Sequence, residues 1–296
     1  MSKIPVADKP GILFAEECDR GTQREENQDS VLHAHIALGD LMIVADGMGG
    51  HAGGATASRM AVESFFSYLS AFPSGYPAES AIRGAAQQAN ANIRDSARAP
   101  NSKQNHMGST VVVALVQRDA AGIHAWVGHI GDSRAYLLRA GRLHRLTTDH
   151  TVVQALLKRN LITPEEALHH PDALVLSRSL GHKPEVEIDI EQHPLAVDDT
   201  LLLCSDGLWG YVSEQDIQYT VDNPDFKLEA AARELLKLAL AAGGHDNVGI
   251  EMARLTPPLE ESHHEGFRPN WKLILVVFLL AIAVVGVLAY FALWNN

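Results

Sequence analysis

Residues 41–51, LMIVADGMGGH, constrain this chain more than any other stretch. Five apolar residues end on Asp46, and a glycine-rich turn follows. From Gly54 the apolar period becomes helical, with Ala57, Ala61, Phe65 and Tyr68 or Leu69 in one row. Residues 41–45 therefore predict a strand that feeds a helix and leaves a carboxylate at the edge of an apolar layer. Such a carboxylate can bind a metal, and the acids of later segments are placed to meet it.

The remaining elements follow from period and punctuation. Residues 12–18 and 32–38 read as strands, separated by the polar connector DRGTQREENQD, residues 19–29. A second helix starts near Pro77, with Ile82, Ala86, Ala89 and Ile93 on one face. Strands over 110–116, 123–129, 135–138 and 143–146, turned at Gly122 and Gly141, predict an antiparallel meander. Residues 148–181 form an insertion with its own helices, one opened by Thr163-Pro164-Glu165-Glu166: a threonine cap, proline in the first turn and a carboxylate three positions on. A lap of this kind would border a cleft. Strands are expected at 186–190, 201–204 and 248–252, and helices from Ser213 and over 228–242. No repeated βαβ unit appears, which argues against a doubly wound sheet.

The formal charge of −12, from 24 Lys+Arg against 36 Asp+Glu, excludes a broad nucleic-acid-binding surface. Cys18 and Cys204 form neither a ligand spacing nor a disulfide framework, which points to a reducing compartment. Residues 273–293 carry no charge. A helix rising about 1.5 Å per residue crosses a bilayer core of about 30 Å in that length. Trp271 stands at one end, and Tyr290 and Trp294 at the other, as interfacial anchors. Arg268 and Lys272 precede the run and nothing basic follows it. The expectation is a single-pass anchor over 271–296 in the cytoplasmic membrane, its catalytic domain facing the cytoplasm. A loose N-terminus over 1–11 and a tether over 256–270 complete the expected organisation.

Asp46, Asp132, Asp206 and Asp246 share one context: each lies at a strand end beside small residues, in ADG, GDS, SDG and DNVG. Each alone reads as an ordinary turn. Four together, with Asp29 after an amide-rich loop, would repel one another at one sheet end unless a cation neutralised them. All-oxygen ligation suits Mg²⁺ or Mn²⁺, and His and Cys are not spaced for zinc. Arg24, in the same polar loop, matches two phosphate oxygens or pairs with Glu25 or Glu26. The residues alone support a hard-metal hydrolase without fixing its substrate.

DRGTQREENQD, VADGMGGH, MGSTVVVALV, HIGDSRAYLLR, TTDHTVVQALLKRNLITPEEALHHP, LLLCSDGLWGYVS and GGHDNVGIEMARL together resemble, in order, the motifs of the metal-dependent phosphatase family called PPM or PP2C, in its bacterial form. The resemblance covers residues 12–255. It implies an α+β fold, a four-layer α-β-β-α sandwich with two central antiparallel sheets, here with one C-terminal transmembrane helix added. It also implies hydrolysis of phosphoserine and phosphothreonine by a metal-activated water, which the expected anchor would place near the membrane face. Asp46 would bridge two Mn²⁺ or Mg²⁺ ions, the Gly47 carbonyl would join one, and Asp206 and Asp246 would complete the other. Asp132, with Asp206, would hold a weaker third ion. Asp29 would act through water and Arg24 would grip the phosphate. Gly108, Ser109 and Thr110 match a packed turn. Met48 stands where animal relatives often carry histidine and cannot donate a proton, so His51 is a candidate for substrate positioning or proton transfer. The expected partners are phosphorylated serine/threonine proteins, a membrane-bound kinase among them, served by a monomeric catalytic domain and no nucleic acid. The competing reading is a membrane-tethered phosphopeptide-binding module with little turnover.

Overall fold

The computed structural model describes residues 10–49, 53–99, 106–167 and 170–258. In chain order, β1 (Pro10–Asp19), β2 (Asp29–Ile36) and β3 (Gly39–Met48) precede α1 (Gly53–Ser70) and α2 (Ala78–Ala97). Then come β4 (Gly108–Ser109), β5 (Val111–Asp119), β6 (Gly122–Ile130), β7 (Arg134–Arg139) and β8 (Arg142–Arg145). The insertion supplies α3 (Val152–Lys158) and α4 (Pro164–Ala167). β9 (Asp189–Leu195), β10 (Thr200–Cys204), α5 (Asp206–Trp209), α6 (Glu214–Val221), α7 (Leu228–Ala241) and β11 (Val248–Pro258) finish the fold.

Two sheets result. One is ordered β2-β3-β5-β6-β9, with β4 paired to the end of β3, and the other β1-β11-β10-β7-β8. β3 shows why its sequence is a continuous apolar run. Met42 and Val44 enter the core between the sheets, while Leu41, Ile43 and Ala45 pack against α1 and α2. A strand covered on both faces has no polar side to alternate with. β11 is built likewise, with Ile250 and Met252 turned toward α7 and Ala253 and Leu255 toward the other sheet. Two central antiparallel sheets with helices on both outer faces are therefore observed, as expected.

Two local expectations change. Asp29 is not the end of a polar connector but the first residue of β2, paired directly with Asp46. The strand expected over 186–190 runs from Asp189 to Leu195. It is an edge strand, where Pro194 needs no donor and the outer face is wet, so its pattern is weak.

The expected C-terminal transmembrane helix is corrected. Among the described residues no helix is long and apolar enough to cross a membrane. α2, the longest described helix at 20 residues, carries Glu79, Arg83, Arg94 and Asp95 and buries its apolar face in the core. The run 271–296, and the tether before it, lie outside the described residues. The single-pass anchor, the cytoplasmic-membrane location and the membrane-bound kinase partner rested on that helix and are carried no further.

Candidate active site

Both sheets deliver carboxylates to the same end of the sandwich. Asp29 and Asp46 are cross-strand partners on β2 and β3. Asp46 is fixed through its backbone: its N–H donates to Thr110 Oγ1 (3.0 Å), and its carbonyl accepts from the Thr110 N–H (2.8 Å) and Ser109 Oγ (3.0 Å). This is the task of the Gly108-Ser109-Thr110 turn. Asp132 follows β6, Asp206 opens α5 directly after β10, and Asp246 precedes β11. Gly47 must approach α1 closely, since a Cβ there would overlap the Gly54 carbonyl. Gly207 is equally constrained, because a Cβ would overlap the Asn247 carbonyl oxygen.

A cavity of about 1150 Å³ opens over these residues. Arg24, Asp46, Gly47, Asp132, Asp206 and Asp246 line it, and Met48 stands in its wall. The far wall comes from the end of the insertion, including Leu176, Arg178 and His182. Asp29 lies buried behind this surface, accepting a hydrogen bond from Ser205 Oγ (2.6 Å) and sharing another with Asp46. His51 falls outside the described residues.

The electrostatics are those of crowded acids. Burial, and then the neighbouring carboxylates, hold Asp46 and Asp206 well above the usual carboxylate range. Burial raises Asp29 as well, and burial followed by the charge of Asp149 raises Asp132 to about 6. Such a set of oxygen donors fits hard divalent cations, which would relieve the repulsion.

Arg24 pairs with Asp246 (Nη2–Oδ2 2.6 Å), and its side chain is 53% exposed. Its loop is pinned to the opposite sheet. Asn247 donates from Nδ2 to the carbonyls of Arg20 (2.7 Å) and Glu26 (3.0 Å) and accepts from the Gln28 N–H (2.8 Å). Thr22 adds an N–H bond to the Gly244 carbonyl (2.9 Å). Asn247 and Ser205 are positioning residues that sequence reasoning missed, as is Asn90. Buried on α2, Asn90 donates to the Lys183 and Pro184 carbonyls and accepts from the Gly181 N–H, which anchors the cavity's far wall. The available signal was an asparagine on the Ala86, Ala89, Ile93 face. Arg134 is structural: it grips Asp149 through two bonds (3.1 and 2.8 Å) and lies over the Trp209 ring.

Among the described residues, two sets of three side chains bring potential ligand atoms within 4.8 Å of one another, and neither includes a cavity acid. One is His129, His150 and Asp189. Here His150 Nε2 meets Asp189 (3.1 Å), its Nδ1 accepts from the Gly131 N–H (3.2 Å), and Arg178 reaches the same carboxylate (2.7 Å). With both ring nitrogens engaged and a guanidinium alongside, this is a buttress for the Asp132 turn. Burial, then the neighbouring His129, lowers His150 to about 4. Between about pH 6.5 and pH 4 the unfolded chain therefore takes up a proton at His150 that the folded chain refuses, and stability falls as pH falls. Denaturant titrations at pH 5 and pH 7 should show a shallower pH dependence in His150→Gln than in the parent. An equal slope would contradict the assignment.

Residues 20–234 match the family model for protein phosphatase 2C. Serine/threonine protein phosphatase PstP of Mycobacterium tuberculosis is 37% identical over 243 residues, which is 82% of this chain but only 45% of that protein. The chain thus spans about half the length of that relative. Serine/threonine phosphatase stp of Listeria welshimeri is 35% identical over 78% of this chain and 91% of its own length. Among solved structures, the catalytic domain of PstP in complex with two manganese ions has a TM-score of 0.71 at 35% identity, covering 83% of this chain and 98% of that one. Similarity of this extent, and the cavity acids rather than either three-residue set, support metal-dependent phosphatase activity. From the paired sheets, the acids gathered at their common end and the match across residues 20–234, the chain belongs to the protein phosphatase 2C family.

Proposed function

We propose that the chain hydrolyses phosphoserine and phosphothreonine in proteins, opposing serine/threonine kinases, with residues 12–255 as the phosphatase domain. One observation carries this reading: carboxylates from both sheets and Arg24 line one open cavity. Asp46, the Gly47 carbonyl, Asp206 and Asp246 would hold two Mn²⁺ or Mg²⁺ ions, and Asp132 with Asp206 a weaker third. Bound there, such ions would lower the pKa of a water and offset charge on the phosphoryl oxygens.

The chain's own residues do the rest. Ser109 and Thr110 hold the Asp46 backbone so that its carboxylate has one orientation. Asp29, buried and held by Ser205 and Asp46, would act through a water rather than on an ion directly. Arg24 offers five N–H donors, of which one engages Asp246, leaving a fork for two phosphoryl oxygens. It would fix the phosphoryl group with the serine or threonine oxygen pointing away from the attacking water. Met48 cannot protonate the departing alkoxide. His51 is assigned to substrate positioning on the family resemblance alone.

The test is Mn²⁺-dependent phosphate release from a phosphothreonine peptide. Arg24→Ala should lower kcat/KM by about 10–100-fold, the equivalent of about 1.5–3 kcal/mol for a hydrogen bond to a charged group. Arg24→Lys should recover only part, since an ammonium cannot bond bidentately. Parent protein without manganese-dependent turnover would sink the proposal.

A further inference from the structure

The second cluster lies away from the cavity, inside the sandwich edge where β1 and β2 come together. Glu16 stands on β1, His33 on β2 and Glu251 on β11, each on the inward face of its strand beside residues of the inter-sheet core. His33 is four residues beyond Asp29 on β2, which at about 3.3 Å per residue separates the cluster from the cavity acids by about 13 Å.

Glu251 is the informative member. Its side chain is 0% exposed, and as an anion it meets no N–H or O–H donor among the described residues; the hydrogen bond open to it is a proton shared with Glu16, and His33 Nδ1 has no hydrogen-bond partner. A buried, unsatisfied carboxylate is among the costliest groups a fold can carry. Its Oε2 nevertheless faces His33 Nδ1 at 3.3 Å, and Glu16 Oε2 faces the same nitrogen at 3.2 Å. These are ion-pair spacings, and they are also ligand spacings. Two atoms each about 2.0–2.1 Å from a tetrahedral Zn²⁺ lie about 3.3–3.4 Å apart. Phe14 stacks on the imidazole, with ring centroids at 4.8 Å, and fixes its plane.

We infer that Glu16, His33 and Glu251 form a binding site for one tetrahedral transition-metal ion of the Zn²⁺ class, with a water as fourth ligand. Access is open, since His33 is 33% and Glu16 52% exposed. The nitrogen donor selects against Mg²⁺, which prefers six oxygens. Burial, then the charge of Glu16 and the hydrogen bond shared with it, pushes Glu251 up to about 10, so without a cation this carboxyl keeps its proton; Zn²⁺ would have to displace it. Because β1 and β11 belong to one sheet and β2 to the other, the ion would clip the two sheets together at their open edge.

The full chain, held in excess Mg²⁺ to keep the cavity acids supplied with a hard cation, is titrated with Zn²⁺ against a chromogenic chelator. One Zn²⁺ per chain should bind, and the unfolding temperature should rise by several degrees. His33→Gln and Glu251→Gln should each weaken that binding by about 100-fold and remove the thermal shift. His33 is partly exposed, so its variant keeps the test valid should Glu251→Gln fold poorly. Asp206→Asn should bind Zn²⁺ at this site like the parent. No bound equivalent, or one that both variants retain unchanged, overturns the site. A Glu251→Gln protein more stable than a parent that ignores Zn²⁺ would show that the pair merely shares a proton, and overturns it as well.

Discussion

Asp46→Asn should release phosphate from a phosphothreonine peptide at least about a thousandfold more slowly than the parent in saturating Mn²⁺, because several kcal/mol of charge stabilisation is lost with the carboxylate. Its position makes the loss specific. Asp46 faces Asp29 across the β2–β3 ladder, and its backbone is fixed by Ser109 and Thr110, so the asparagine keeps the fold and changes only the charge. Stability supplies the control. Burial and the surrounding acids already disfavour the Asp46 carboxylate, so removing one charge should leave the metal-free protein at least as stable as the parent. A variant that is both inactive and less stable would mean that Asp46 serves the fold rather than the chemistry. Parent protein that binds the phosphopeptide but releases no phosphate would point to a binding module.

Gly207→Ala should produce the largest effect away from the reacting groups. The added methyl meets the Asn247 carbonyl oxygen, so α5 must move off the start of β11. Overpacking of this kind costs about 1–3 kcal/mol. In a domain of this size that lowers the unfolding temperature by about 2–4 °C for each kcal/mol. The shift also separates Asp206 from Asp246, since each is one residue from the clash. The activity should therefore need higher Mn²⁺ as well. A thermal scan and an Mn²⁺ titration of phosphate release check the two halves. Unchanged Mn²⁺ dependence in a destabilised variant would break the proposed link between this close approach and the site.

The acids of the cavity were legible because strand ends beside glycine are marked locally, in ADG, SDG and DNVG. β3 and α1 were legible for the same reason, a clean change of apolar period at one turn. Asp29 was misplaced into a connector because β2 starts within a polar stretch, and only pairing with β3 reveals it as strand. Ser205, Asn247 and Asn90 were invisible as a group: each acts on carbonyls, amides or carboxylates about 90 to 230 positions away, and no local pattern encodes such distances. Glu251 was lost differently. A single acid in VGIEMARL reads as the wet side of an alternating strand, whereas the second sheet covers it.

The order β1-β11-β10-β7-β8 carries one more consequence. Among the described strands β1 neighbours β11 alone in its sheet, more than two hundred residues later, so translation must pass Val248 before β1 can dock. Asp246 arrives with that same stretch. A ribosome-bound chain is thus expected to stay inert until synthesis of the domain is almost complete, and an arrest before β11 would yield neither a closed sheet nor a working phosphatase.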